Sequence, residues 1–303
     1  MIPRPSPQSR SAGTAAAARL TLAVRAATFE PTDIKYVHGT WGLALPTLEA
    51  NLRLIKGGGF DAVETGVPQG AEDREKLRGL LGELGLALVV QQWTRGASPQ
   101  EHAESFEEQY RRATALRPLF VNSHTGKDYF TTAENLAILR RAEELEREVG
   151  LPVVHETHRG RATFSATSTA ALLDELPGLK LAADFSHWCC VHESLLEDQR
   201  EAVEKAIRRS FHIHARVGHA EAPQVTDPRA PEWHDAVEAH LRWWQAIADQ
   251  RRKGGAPLLT ICPEFGPPPY MVRLPSTGVP IVDLWGVNRY MKELLQERLR
   301  GGE

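Results

Sequence analysis

The chain has 303 residues, with 36 Lys+Arg against 39 Asp+Glu and a formal net charge of −3. Hydrophobic residues at 42% and charged residues at 25% match an ordinary globular domain and exclude collagen-like, disordered and coiled-coil chains. Apolar runs such as Leu86–Val90 are too short to span a bilayer, and near-neutral charge provides no field to gather nucleic acid.

Residues 1–30 carry Pro3, Pro5 and Pro7 and then an Ala15–Ala18 run. They read as a flexible or poorly ordered N-terminal tail. Arg19 and Arg25 interrupt the apolar stretch that an export signal needs, and a targeting peptide is the alternative reading. From residue 34 a short apolar run, a turn and a helix-periodic segment alternate. Strands are predicted at 34–39, 61–64, 87–91, 119–122, 153–156, 180–184, 211–216 and 258–264. Helices are predicted at 47–56, 71–84, 99–115, 132–149, 167–176, 194–210, 233–253 and 283–298. Eight such pairs are the count of a (β/α)8 TIM barrel, predicted here as a single domain over residues 31–303. The rival, a doubly wound open sheet, lacks a G-x-G-x-x-G after the first strand. Residues 265–282, the longest irregular segment, are expected to form a lid-like functional loop.

Three cysteines, two of them the adjacent Cys189 and Cys190, cannot build a disulfide framework; the expected compartment is reducing and cytoplasmic. Of the twelve histidines, eight fall between residues 120 and 220. Active sites of such barrels lie at the carboxyl ends of the strands. There, strand five ends in Glu156, strand six in Asp184, strand seven carries His214 and strand eight ends in Glu264. Several carboxylates converging on one buried rim need a compensating cation. Three carboxylates with one imidazole suit a hard or borderline divalent ion, with Mn2+ expected first and Mg2+, Co2+ or Zn2+ as alternatives. His212 and Arg216 share the face of His214 by the period-two rule, and His214 is the expected ligand because it lies nearer the rim. His155 is expected to face the helices, and His192, His234 and His240 to lie on helix surfaces. Cys189 and Cys190 read as small buried packing. Trp233, Trp243 and Trp244, on one late helix, could supply an interface for a homo-oligomer.

With this quartet, the Asp184-x-x-His187 spacing and the His212-x-His214 strand, the chain resembles the xylose isomerase-like TIM-barrel superfamily of sugar phosphate isomerases and epimerases, over residues 34 to about 298. The resemblance implies a metal held by Glu156, Asp184, His214 and Glu264, with Glu156 and Glu264 as the proton-transferring pair and His187 touching the substrate. Two segments depart from the epimerase branch: His214–Glu221, and Thr157–Arg161 after strand five. The expected function is a divalent-metal-dependent isomerase or epimerase of a carbohydrate or polyol, abstracting a proton beside a carbonyl through a metal-stabilised enediolate. A lyase or dehydratase acting on keto-sugars, keto-glycosides or keto-inositols is the alternative. Asn122, His124, His158, Arg161, Arg216 and His219 are candidates to bind hydroxyls or an acidic group, and Trp41, Gln92 and Trp188 to line the pocket. A repair enzyme like endonuclease IV would need more zinc ligands and a basic rim, so no nucleic-acid partner and no membrane partner is expected.

Overall fold

Each short β-branched run of the sequence becomes a strand because every second side chain must enter one closed interior. The computed structural model describes residues 33–299; the expected tail at residues 1–30 lies outside them. The strands are β1 (Asp33–Gly39), β2 (Ala62–Gly66), β3 (Ala87–Trp93), β4 (Phe120–His124), β5 (Val153–Glu156), β6 (Leu181–Ala183), β7 (Ser210–Ala215) and β8 (Leu258–Pro263). All pair in parallel, and β8 closes onto β1 in the register Asp33 to Leu258. This is the predicted (β/α)8 barrel.

Around it lie α1 (Leu48–Gly57), α2 (Ala71–Leu84), α3 (Pro99–Thr114), α4 (Thr132–Val149), α5 (Ala166–Glu175), α6 (Ser186–Val191), α7 (Arg200–Ile207), α8 (His234–Lys253) and α9 (Leu284–Arg298). Capping chemistry sets several ends. Thr131 and Glu134 form a reciprocal box at the start of α4, and Ser98 with Glu101 does the same for α3. Gly150 ends α4 in the left-handed conformation that glycine takes without a Cβ clash. One predicted helix differs. Residues 194–210 do not form one continuous helix, because Leu196 adopts a left-handed φ of 62° before a 3-10 turn (Glu197–Gln199), and α7 starts only at Arg200. The short α6, directly after β6, was not expected.

Inside the barrel Val37, Ala62, Val89, Phe120, Val154, Ala182 and Cys262 form an apolar floor. Two residues further along each of these strands, and therefore on the same face, come Gly39, Glu64, Gln91, Asn122, Glu156, Asp184 and Glu264. One apolar layer is thus covered by one polar layer, and the polar layer opens to the carboxyl end. The helices bury the opposite strand faces in a larger cluster that includes Leu52, Phe106, Tyr110 and Trp244. Among the described residues no helix is long and apolar enough to cross a membrane.

Two histidines expected on helix surfaces are elsewhere. His240 is fully buried in α8; its Nδ1–H donates to the Ala236 carbonyl at 2.8 Å, and its Nε2 accepts from Gly218 N–H at 3.2 Å. His192, half-buried, accepts from Ala166 N–H at 3.0 Å at the start of α5. His234 is exposed, and His155 does face the helices, 2.7 Å from Thr125 Oγ1. A His240→Leu substitution fills the space but leaves the Gly218 N–H unpartnered, an expected cost of about 1–3 kcal/mol. Urea midpoints at constant slope measure it, and parent-like stability would remove this role from His240. The tryptophans are largely spent within the chain. Trp244 is buried, Trp233 Nε1–H donates to Thr226 Oγ1 at 2.7 Å, and Trp243 meets Phe185 edge-on.

Candidate active site

Barrel closure brings the four strand ends together. Glu156, Asp184, His214 and Glu264 each offer an atom within 4.8 Å of the others. Glu156 Oε2 accepts from Asn122 Nδ2 at 2.9 Å and lies 3.0 Å from His124 Nε2 and 3.3 Å from His214 Nδ1. Glu264, slightly exposed at the rim, places Oε2 2.8 Å from His214 Nδ1 and 3.3 Å from Arg216 Nη2. Asp184 accepts from the backbone and hydroxyl of Ser186 through one oxygen and from Arg216 through the other.

The electrostatics follow from burying like charges together. Burial and the nearby Glu264 and Glu156 carboxylates push Asp184 up to about 6, against the opposing pull of Arg216. Burial would lower His214, but Glu264, Glu64 and Glu156 outweigh it and raise the imidazole well above its usual range. For Glu156, burial would raise the carboxyl, yet His124 and His214 hold it well below the ordinary value. His158 is lowered to about 3 by burial and by the neighbouring His124, so it is a neutral ring. Its Nδ1–H donates to the Arg159 carbonyl at 2.5 Å, which leaves Nε2 as the free nitrogen.

The residues present fit a divalent cation. Buried Glu156 Oε1 and His214 Nδ1 have no hydrogen-bond partner, although His214 Nδ1 sits between two carboxylates. Three carboxylates and an imidazole whose free atoms converge are the donor set of an oxygen-preferring ion.

Above them opens a cavity of about 460 Å3. Glu156, Glu264, His124, His158 and Arg216 form its polar base, with Trp41, Trp93 and Tyr270 among its walls. Tyr270 comes from the loop expected over residues 265–282; Arg216 lies 4.6 Å from its ring centroid. The start of that loop is tied down, since Asn288 pairs with both backbone groups of Phe265 and Gln224 with those of Gly266. Further along, Val272, Leu274 and Val279 are exposed.

Residues 52–266 match the family described as xylose isomerase-like TIM barrel. The chain belongs to that family. Among curated proteins none matches the chain. Several solved structures share the fold. The probable 3-DHS dehydratase AsbF of Bacillus anthracis superposes with a TM-score of 0.58 at 16% identity, covering 86% of this chain and 98% of its own. Endonuclease IV of Thermus thermophilus gives 0.57 at 13%, covering 88% and 98%. The 3-keto-D-glucoside 4-epimerase YcjR of E. coli gives 0.56 at 14%, covering 88% and 100%. These three carry different chemistries on one fold, so the likeness fixes the architecture and leaves the reaction to the site.

Within this xylose isomerase-like barrel, several residues expected in the pocket are elsewhere. Trp188 is fully buried behind the barrel, stacked on Phe185 and donating to the Thr163 carbonyl at 3.0 Å. Gln92 has the wrong strand parity; it is buried towards Ser123, and Gln91 on the opposite face reaches the cavity instead. Arg161 donates to the Thr94 carbonyl at 3.2 Å, and His219 packs at a tilt against Trp233 and does not line the cavity. His187 lies behind the wall, 3.0 Å from Arg216 Nη2, and Asn122 lies beneath Glu156. Sequence reasoning missed Glu64, Gln91, Trp93 and Tyr270. The first three follow from period-two counting on β2 and β3, whereas nothing in the loop sequence singles out Tyr270.

Proposed function

We propose that this chain is a divalent-metal-dependent isomerase or epimerase of a small carbohydrate or polyol, acting by proton transfer beside a carbonyl. The observation that carries this reading is the pair Glu156 and Glu264, both against His214 Nδ1 and both lining one cavity. A divalent cation, Mn2+ first, would be held by Glu156, Asp184, His214 and Glu264 and would supply the Lewis acidity that makes a C–H beside a carbonyl removable.

The chain's own groups do the rest. Glu156 Oε1, unpartnered and kept anionic by His124 and His214, is placed to take the proton. Glu264, on a different strand and at the rim, returns one from another direction. Arg216, His124 and His158 offer polar atoms to substrate hydroxyls, while Trp41, Trp93 and Tyr270 cover the apolar face of a sugar and exclude water. The cavity size fits a small molecule, and the chain carries no net positive charge to gather nucleic acid. Three free cysteines accord with a reducing, cytoplasmic setting.

Incubating the Mn2+-loaded protein with ketoses, keto-glycosides and related polyols in D2O tests the proposal. Solvent deuterium should appear at one carbon of a substrate whose mass otherwise stays constant, and a protein that exchanges none of them would overturn it. One observation favours the lyase alternative. His158, neutral and with Nε2 unprotonated, stands in the cavity close to His187 and Arg216. There Nε2 could take the proton beside the carbonyl and then, as the imidazolium, return that proton to the departing hydroxyl as water. Elimination lowers product mass by one water, and isomerisation does not.

A further inference from the structure

We propose that Glu64 is the positioning residue of this site: from β2 it fixes the ring of His214 so that Nε2–H points into the barrel and Nδ1 faces Glu156 and Glu264. This inference rests on the quartet being a cation site. Glu64 is buried beneath the quartet, and its oxygens receive three N–H donors. Asn122 Nδ2 donates to Oε1 at 2.9 Å, while His212 Nε2 and His214 Nε2 approach Oε2 at 3.2 and 2.9 Å.

A carboxylate accepts and does not donate, so both rings must present a proton on Nε2. For His212, Nδ1 lies 2.7 Å from the Thr260 hydroxyl and 3.1 Å from the Thr260 carbonyl, which only accepts, so this ring can carry a proton on Nδ1 as well as on the Nε2 that faces Glu64. His214 then has one nitrogen committed to Glu64 and the other, Nδ1, between the two glutamates with no hydrogen bond of its own. The second hydrogen of the Asn122 amide reaches Glu156 Oε2 at 2.9 Å, so a single side chain also sets the spacing of Glu64 and Glu156. A buried carboxylate is costly unless such donors surround it, and an amide there would leave donors facing each other. An anionic partner on the far nitrogen both orients a ligating imidazole and makes it a stronger donor.

The test uses the full-length protein freed of metal by chelation, as wild type, Glu64→Gln and Glu64→Asp. Mn2+ and Co2+ are titrated by calorimetry, and the visible absorption of the Co2+-saturated proteins is recorded. The Gln variant keeps the shape without the charge; the Asp variant keeps the charge but withdraws it from His214. Each should bind roughly 10- to 100-fold more weakly, with an altered Co2+ band at saturation. A purely space-filling role would leave that band unchanged. Wild-type affinity and spectrum in a folded variant would overturn the inference, and the Asp variant decides if the Gln variant does not fold. A wild-type protein that binds neither ion would instead overturn the cation reading itself, and this role of Glu64 with it.

Discussion

A Glu264→Gln variant should lose turnover by roughly 10^2- to 10^4-fold, the usual contribution of a positioned proton-transfer group, while remaining folded. Glu264 is the more exposed of the pair, and its close partners are Arg216 and His214. The neutral amide keeps an oxygen towards both, so the surrounding structure has little reason to move. Glu156→Gln should match that loss in turnover and add a cost in stability. Glu156 is fully enclosed, and Oε2 already accepts from Asn122 beside His124 and His214, so the amide nitrogen takes the buried Oε1 position, where no hydrogen-bond partner stands, and the charge facing the two rings is lost. Deuterium exchange from D2O gives the first effect, and thermal unfolding separates the second. Undiminished exchange in both variants would refute the assignment of the proton-transferring pair.

The other large effect concerns charge balance. Arg216 is buried with its guanidinium against Asp184 and Glu264. Replacing it by Met removes the guanidinium that Asp184 and Glu264 share and leaves the buried Asp184 without its ion-pair partner. Removing one side of a buried ion pair typically costs about 3–5 kcal/mol, so the metal-free variant should unfold far earlier than the parent. Mn2+ at the proposed site would bind only the folded state and supply positive charge to the same carboxylates, so it should raise the variant's unfolding midpoint by more than it raises the parent's. Equal midpoints without metal, or equal shifts with it, would contradict this picture.

Much of the fold was legible because strand and helix periods differ, and because caps such as Thr131–Glu134 and stops such as Gly150 act locally. The quartet was legible for a related reason: in a parallel barrel each strand end is a rim position, so Glu156, Asp184 and Glu264 could be placed by counting. Parity alone also distinguishes Gln91 from Gln92 and puts Glu64 in the polar layer, so these positions too are written in the strand alternation. Other residues were not legible. Trp188 follows Asp184 closely, yet the short α6 turns it behind the barrel, and His240 looks like any polar residue on a long helix until the Gly218 loop packs over it.

The sequence by itself determined the strand–helix alternation, the apolar floor with a polar layer above it, and the four carboxyl-end residues, since each depends on local periodicity and strand polarity. Only the closed structure decided which atoms meet. Glu64 and His214 lie 150 positions apart and come within 2.9 Å because β2 and β7 both turn these side chains into the one closed interior. The proton position on His214, the seat of Arg216 and the aromatic walls over the cavity are set by those long-range approaches, where burial and charge compensation act and no local pattern records them.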